Sequence, residues 1–210
     1  AAAQRDFEAA CLARGREVLA NVPEGARLAV VVSRPYNGCD RGLNLDLARR
    51  MKDVGLLAMP MDFLDLRHID LGDDWHNLFW KYGQKIIRAG EIIAARPDLE
   101  AVYLSNFGCG PDSFLRRFFQ EALGHKPLLA LEIDEHSAAA GLVTRLEAFV
   151  DSLRGANRRP TRPAGRVFPP SGAMDGRTLL IPHMCDHAYA FAAAFRGAGL
   201  PAAVIPPSDE

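Results

Sequence analysis

The 210-residue sequence is short of the features that most often announce a function. It has only four cysteines, Cys11, Cys39, Cys109 and Cys185. That is too few for a disulfide scaffold in a chain of this length, though enough for a metal site. No two of them form a Cys-x-x-Cys pair, so no standard zinc motif applies. There is no Gly-x-x-x-x-Gly-Lys-Ser/Thr and no Gly-x-Gly-x-x-Gly after a strand, so neither an ATP nor an NAD site is expected. Charge of one sign is not in excess: 25 Lys and Arg face 26 Asp and Glu, a net charge of -1. A general nucleic-acid binder would be more basic. No apolar run reaches the roughly 18 residues of a membrane span. The start has no basic n-region and no apolar h-region of a secretory signal. These absences predict no nucleic acid, no membrane and a cytoplasmic location, with thiols reduced unless they hold metal. The chain begins at Ala1 rather than Met, which reads as an excised piece of a longer protein.

What is present is an alternation of helices and short apolar runs. Residues 4–22 place Phe7, Cys11, Val18 and Leu19 at helical spacing, with Cys11 read as packing. Strands are expected at 27–32, 56–59, 101–104 and 128–133, each a short continuous apolar run of the kind buried in a parallel sheet. Helices are expected at 42–54, with Leu43, Leu47, Met51 and Val54 on one face, from an N-cap at Asp74 to Ala95, from Pro111 to Gly124, and at 140–153. Trp75, Phe79 and Trp80 read as core or interface residues of the long helix. Residues 155–176 hold four Arg, four Pro and four Gly without a hydrophobic period, and read as a linker. A strand at 178–181, a helix at 188–198 and a strand at 202–205 follow. The expected fold is α/β, a three-layer parallel sheet of Rossmann or flavodoxin-like type. Its domain spans residues 1–154, the linker 155–176, and the first β-α-β of a second, truncated unit 177–210.

Ligands of parallel α/β sheets bind at the carboxyl ends of the strands. Four segments reach that edge: 33–40, 105–112, 134–137 and 182–187. Three of the four cysteines, Cys39, Cys109 and Cys185, fall in these turns and are the candidate metal ligands. Thiolate is the ligating form and is favoured at helix N-termini. Packing of small apolar side chains is the plainer alternative for any one of them. Arg34 and Asn106 are candidate cofactor-binding residues, since Arg suits an anion such as a phosphate of CoA; a local carboxylate partner is the alternative for Arg34. Glu135 and His136 are candidate acid–base residues, with a solvated turn as the alternative. His183 and His187 are candidate ligands or proton donors.

The runs Arg34-Pro-Tyr-Asn-Gly-Cys-Asp-Arg-Gly-Leu-Asn44, Asn106-Phe-Gly-Cys-Gly-Pro-Asp112, Leu131-Glu-Ile-Asp-Glu-His-Ser137 and Pro182-His-Met-Cys-Asp-His187 resemble one family. It is the domain of unknown function of large CoA-enzyme activase proteins, related to 2-hydroxyacyl-CoA dehydratase subunits. The resemblance runs from about Arg27 to the end. It implies ATP-driven, low-potential electron transfer in anaerobic metabolism and an iron–sulfur cluster, with Cys109 and Cys185 at motif cysteines and Cys39 at that of the long fused branch. The implied partners are activase ATPase domains and an acyl-CoA. A further Gly-x-Glu-Cys motif is expected beyond the last strand, past the end of this sequence, so the piece alone is expected to be inactive. The competing expectation is a non-catalytic scaffold or docking module with structural cysteines. A zinc hydrolase lacks the usual ligand spacing.

Overall fold

A computed structural model describes residues 2–72, 75, 78–155 and 176–206. The chain divides into two compact units, Ala1–Gly165 and Arg166–Glu210. The predicted linker lies almost wholly outside the described residues.

In the first unit the apolar runs form strands β1 (Arg27–Ser33), β2 (Leu56–Pro60), β3 (Leu99–Asn106) and β4 (Leu128–Ile133). All pairs are parallel, in the order β2-β1-β3-β4. β1 and β3 are central and buried almost throughout, whereas β2 is only partly buried and β4 alternates, both at the edges. That difference explains why β1 and β3 read as unbroken apolar runs.

Helices cover both faces. On one side α1 (Ala2–Ala20), α4 (Lys81–Ala95) and α5 (Gly110–Leu123) surround a core of Val30, Val32, Ile86, Ile93, Tyr103 and Phe119. α1 contributes Val18 and Leu19, but Phe7 at the other end of its predicted stripe is exposed. On the other side α3 (Leu47–Asp53) and α6 (Ala139–Gly155) pack over Val31, Val102, Leu104 and Leu131. Burying a side chain of this size removes about 1.5–3 kcal/mol of unfavourable hydration, so each face holds its helices through several such contributions.

Two helices start later than expected. The helix predicted from residue 42 begins at Leu47 because side chains compete for the backbone before it. Asp40 accepts from the Leu43 N–H at 2.9 Å, and Asn44 accepts from the Leu47 N–H at 3.2 Å. Leu45 and Asp46 adopt positive φ, and Leu43 is exposed rather than on the buried face. A short helix, α2 (Pro35–Cys39), forms upstream instead. The long helix begins at Lys81, with Trp80 extended at its N-cap; Asp74, the expected cap, lies outside the described residues. Trp80 is held out of the helix by stacking on Arg34, 4.6 Å from the guanidinium carbon. Gln84 donates to the Leu78 carbonyl at 2.6 Å and fixes the chain just ahead of it.

The second unit is a parallel pair, β5 (Leu179–Pro182) and β6 (Ala202–Ile205), joined by α7 (His187–Gly197). This is the β-α-β expected there. Among the described residues no helix is long and apolar enough to cross a membrane.

Candidate functional site

From β1 the chain crosses to β2 on one side, while β3 lies on the other. The strand order therefore reverses between β1 and β3, and their carboxyl ends form the switch point, the position where open α/β sheets take ligands. Two turns border it. One runs from Ser33 through α2 to Asp40, and the other from Asn106 to Asp112.

An ion pair ties these turns together. Arg34 Nε donates to Asp112 Oδ1 at 2.9 Å across 78 residues of sequence. The Arg34 side chain is 22% exposed and that of Asp112 is 2%. Burial works against the Arg34 charge, but its hydrogen bond to Asp112 and the negative charge of that carboxylate outweigh it and raise the guanidinium pKa further. The Trp80 ring closes one face of the guanidinium. Tyr103 donates to the Asp112 carbonyl at 3.3 Å, and Tyr82 donates to the Ser33 carbonyl at 2.9 Å. Burial, then the charge of Asp62, pushes the Tyr82 phenol above its ordinary range; burial and Asp112 do the same to Tyr103. Both hydroxyls therefore act as neutral donors.

Both turns carry glycine. Gly108 has φ +73°, the left-handed region that lets the chain leave β3 and enter α5 at once. A Cβ on Gly38 would lie 2.5 Å from Ser33 Oγ, so α2 folds back closely on the end of β1. Asn44 holds α2 there by donating to the carbonyls of Asn37 and Gly38, both at 3.0 Å.

Each turn carries a thiol. Cys39 ends α2 and is exposed; Cys109 caps α5 and is half-buried. The Arg34 cation lies within electrostatic reach of Cys109. Ser113 donates to the Cys109 carbonyl through both its N–H (3.0 Å) and its Oγ (2.8 Å), which fixes the cap. Among the described residues, Arg34 Nη2, Asp112 Oδ2 and both amide atoms of Asn37 are buried without a hydrogen-bond partner. These four atoms belong to three residues of the two turns and the helix start beside them, and buried polar atoms left without partners are uncommon. Several aromatic side chains of these segments are exposed: Tyr36 in α2, Phe107 in the second turn, Phe114 in α5 and Phe79 ahead of α4.

The other predicted residues take no part in this ion-pair cluster. Asn106 is half-buried at the end of β3, and its carbonyl accepts from the Cys109 N–H at 3.2 Å. Glu135 and His136 are solvent-exposed beyond β4 and 3.7 Å from each other. The turn beneath them is organised by Asp134, which accepts from Ser137 Oγ at 2.8 Å and from the His136 N–H at 3.0 Å. The Ser137 hydrogen bond holds the Asp134 carboxyl below the usual range. Cys11 is half-buried on α1. Cys185 is exposed in the second unit, with Sγ 3.4 Å from His187 Nδ1. Among the described residues no group of three or more His, Cys, Asp and Glu is arranged to hold a metal ion.

The reading of residues one at a time missed Asp112, Asn37, Trp80 and Tyr82. Asp112 had a signal, as a carboxylate one turn into a helix at the functional edge. Trp80 and Tyr82 had none, because their role depends on where α4 begins. No protein-family profile matches the chain, and neither a curated protein nor a solved structure matches it at a significant level.

Proposed function

We propose that the first unit is a doubly wound, flavodoxin-like domain whose switch-point turns supply cysteine ligands to an iron–sulfur cluster. The system would be of the CoA-enzyme activase and 2-hydroxyacyl-CoA dehydratase type. The strand order β2-β1-β3-β4 supports the fold reading, as it matches the first four strands of the flavodoxin-like order. The observation that carries the functional reading is the Arg34–Asp112 ion pair, which joins the turn bearing Cys39 to the turn bearing Cys109. Two thiols outside any disulfide, neither deeply buried, one on each of the joined turns, support the reading.

In this reading Cys39 and Cys109, both of the first unit, ligate the cluster. When bound, the cluster supplies one-electron transfer at a potential set by its charge, hydrogen bonds and solvent exposure. Arg34 provides positive charge beside Cys109 and favours the electron-rich state. Asp112 holds that guanidinium in place, and the phenols of Tyr82 and Tyr103 stay protonated and fix the backbone around it. Activase ATPase domains and an acyl-CoA are the proposed partners.

Anaerobic reconstitution with iron and sulfide, followed by iron counting and visible absorption, tests the proposal. The expected result is iron bound by the wild type and largely lost in both Cys39→Ser and Cys109→Ser. Iron that is absent, or indifferent to both substitutions, contradicts it. The exposed aromatic side chains favour a second reading, a docking surface without a cluster, which predicts the indifferent outcome.

A further inference from the structure

We infer that the turn between β5 and α7 is a two-point site for a single thiophilic divalent cation, held by Cys185 Sγ and His187 Nδ1. The two atoms lie 3.4 Å apart. A tetrahedral ion with bonds of about 2.3 Å to sulfur and about 2.0–2.1 Å to nitrogen sets its ligands about 3.5 Å apart. The separation therefore matches the bite of a chelate, and loss of the thiol proton would free both atoms from the hydrogen-bond contact that joins them. Both side chains are exposed, so an ion can reach them.

The turn itself is fixed. The Cys185 carbonyl accepts from the Ala188 N–H at 2.9 Å, the Asp186 carbonyl from the Tyr189 N–H at 3.1 Å, and the Pro182 carbonyl from the Met184 N–H at 3.0 Å. His183 packs edge-on to Tyr189 at 5.4 Å and approaches Asp186 Oδ1 at 3.8 Å. Two imidazoles, a carboxylate and a thiol thus occupy five consecutive positions, 183–187. A sulfur–nitrogen donor pair selects zinc-like ions over magnesium or calcium, which require oxygen. Among the described residues no third ligand joins them. The site is therefore open, with its remaining positions available to water or to a group from another molecule.

This inference uses the second unit alone and a mononuclear ion, so it stands apart from the cluster proposal. It is tested by titrating cobalt(II) into the reduced full chain without oxygen, following thiolate-to-cobalt charge transfer in the near ultraviolet. One cobalt per chain is expected. Cys185→Ser should abolish the band, and His187→Gln should weaken affinity by about tenfold or more. Cys39→Ser and Cys109→Ser should leave both unchanged. Circular dichroism of each variant confirms that these surface substitutions leave it folded. Affinity unchanged in His187→Gln, or a band that follows Cys39 and Cys109 instead, overturns the inference, while the cluster proposal is read separately from iron uptake in Cys39→Ser and Cys109→Ser.

Discussion

The two ends of the same four-stranded sheet handle buried charge in opposite ways. At the amino end of β3, Lys126 donates to the carbonyls of Ile93, Arg96 and Leu99, at 2.8, 2.5 and 2.5 Å. Those acceptors close the end of α4 and the turn into β3, so the cation completes the chain's own hydrogen bonding. Nearby, Arg27 reaches the buried Glu100 at 3.4 Å. At the carboxyl end, Arg34 and Asp112 pair through one atom each, and Arg34 Nη2, Asp112 Oδ2 and the Asn37 amide are left without partners among the described residues. Charge at the amino end serves the fold. The pair at the carboxyl end keeps those atoms unpartnered, and the thiols lie there too.

Substitutions at each end separate these roles. The largest effect is expected from Asp112→Ala, which leaves Arg34 without its carboxylate. Breaking a buried pair from one side costs about 3–5 kcal/mol, to be measured by denaturant unfolding. Lys126→Met should cost about 1–3 kcal/mol, because it removes a donor from carbonyls at a half-buried turn. Gly108→Ala should cost about 1–2 kcal/mol, since an L-residue is forced into the left-handed region in otherwise open space. The smallest effects belong to Glu135→Gln and His136→Ala, within about 0.5 kcal/mol, as both are solvated.

Acid should not distinguish the ends. Asp98, held below its usual range first by the hydrogen bond from Arg96, lies at the amino end, and Asp134, lowered by Ser137, at the carboxyl end. A depressed carboxylate gives its stability above the unfolded pKa of about 3.9 and loses it as pH falls through the folded value. Asp98→Asn and Asp134→Asn should each flatten the stability curve only below that pH, which unfolding titrations would detect.

The layer order was legible in the sequence because β1 and β3 are central and apolar on both sides, and because Pro111 and Gly124 mark the ends of α5. The placement of Cys39 and Cys109 at the functional edge was legible for the same reason: each follows a recognisable strand. The starts of α3 and α4 were not legible, since they depend on Asp40 and Asn44 bonding to the backbone and on Trp80 stacking against Arg34. Nor was the Arg34–Asp112 pair, which joins residues 78 positions apart. Only the register of β1 against β3 brings them together. The resemblance pointed to the turns but not to the ion pair that joins them.

The most direct test compares the two ends in one assay: iron bound per chain after anaerobic reconstitution of Asp112→Asn and Lys126→Met, at a temperature where both are folded. The account predicts that Lys126→Met binds as much iron as the wild type and that Asp112→Asn loses most of it. Equal iron in the two variants, or a greater loss in Lys126→Met, would contradict it.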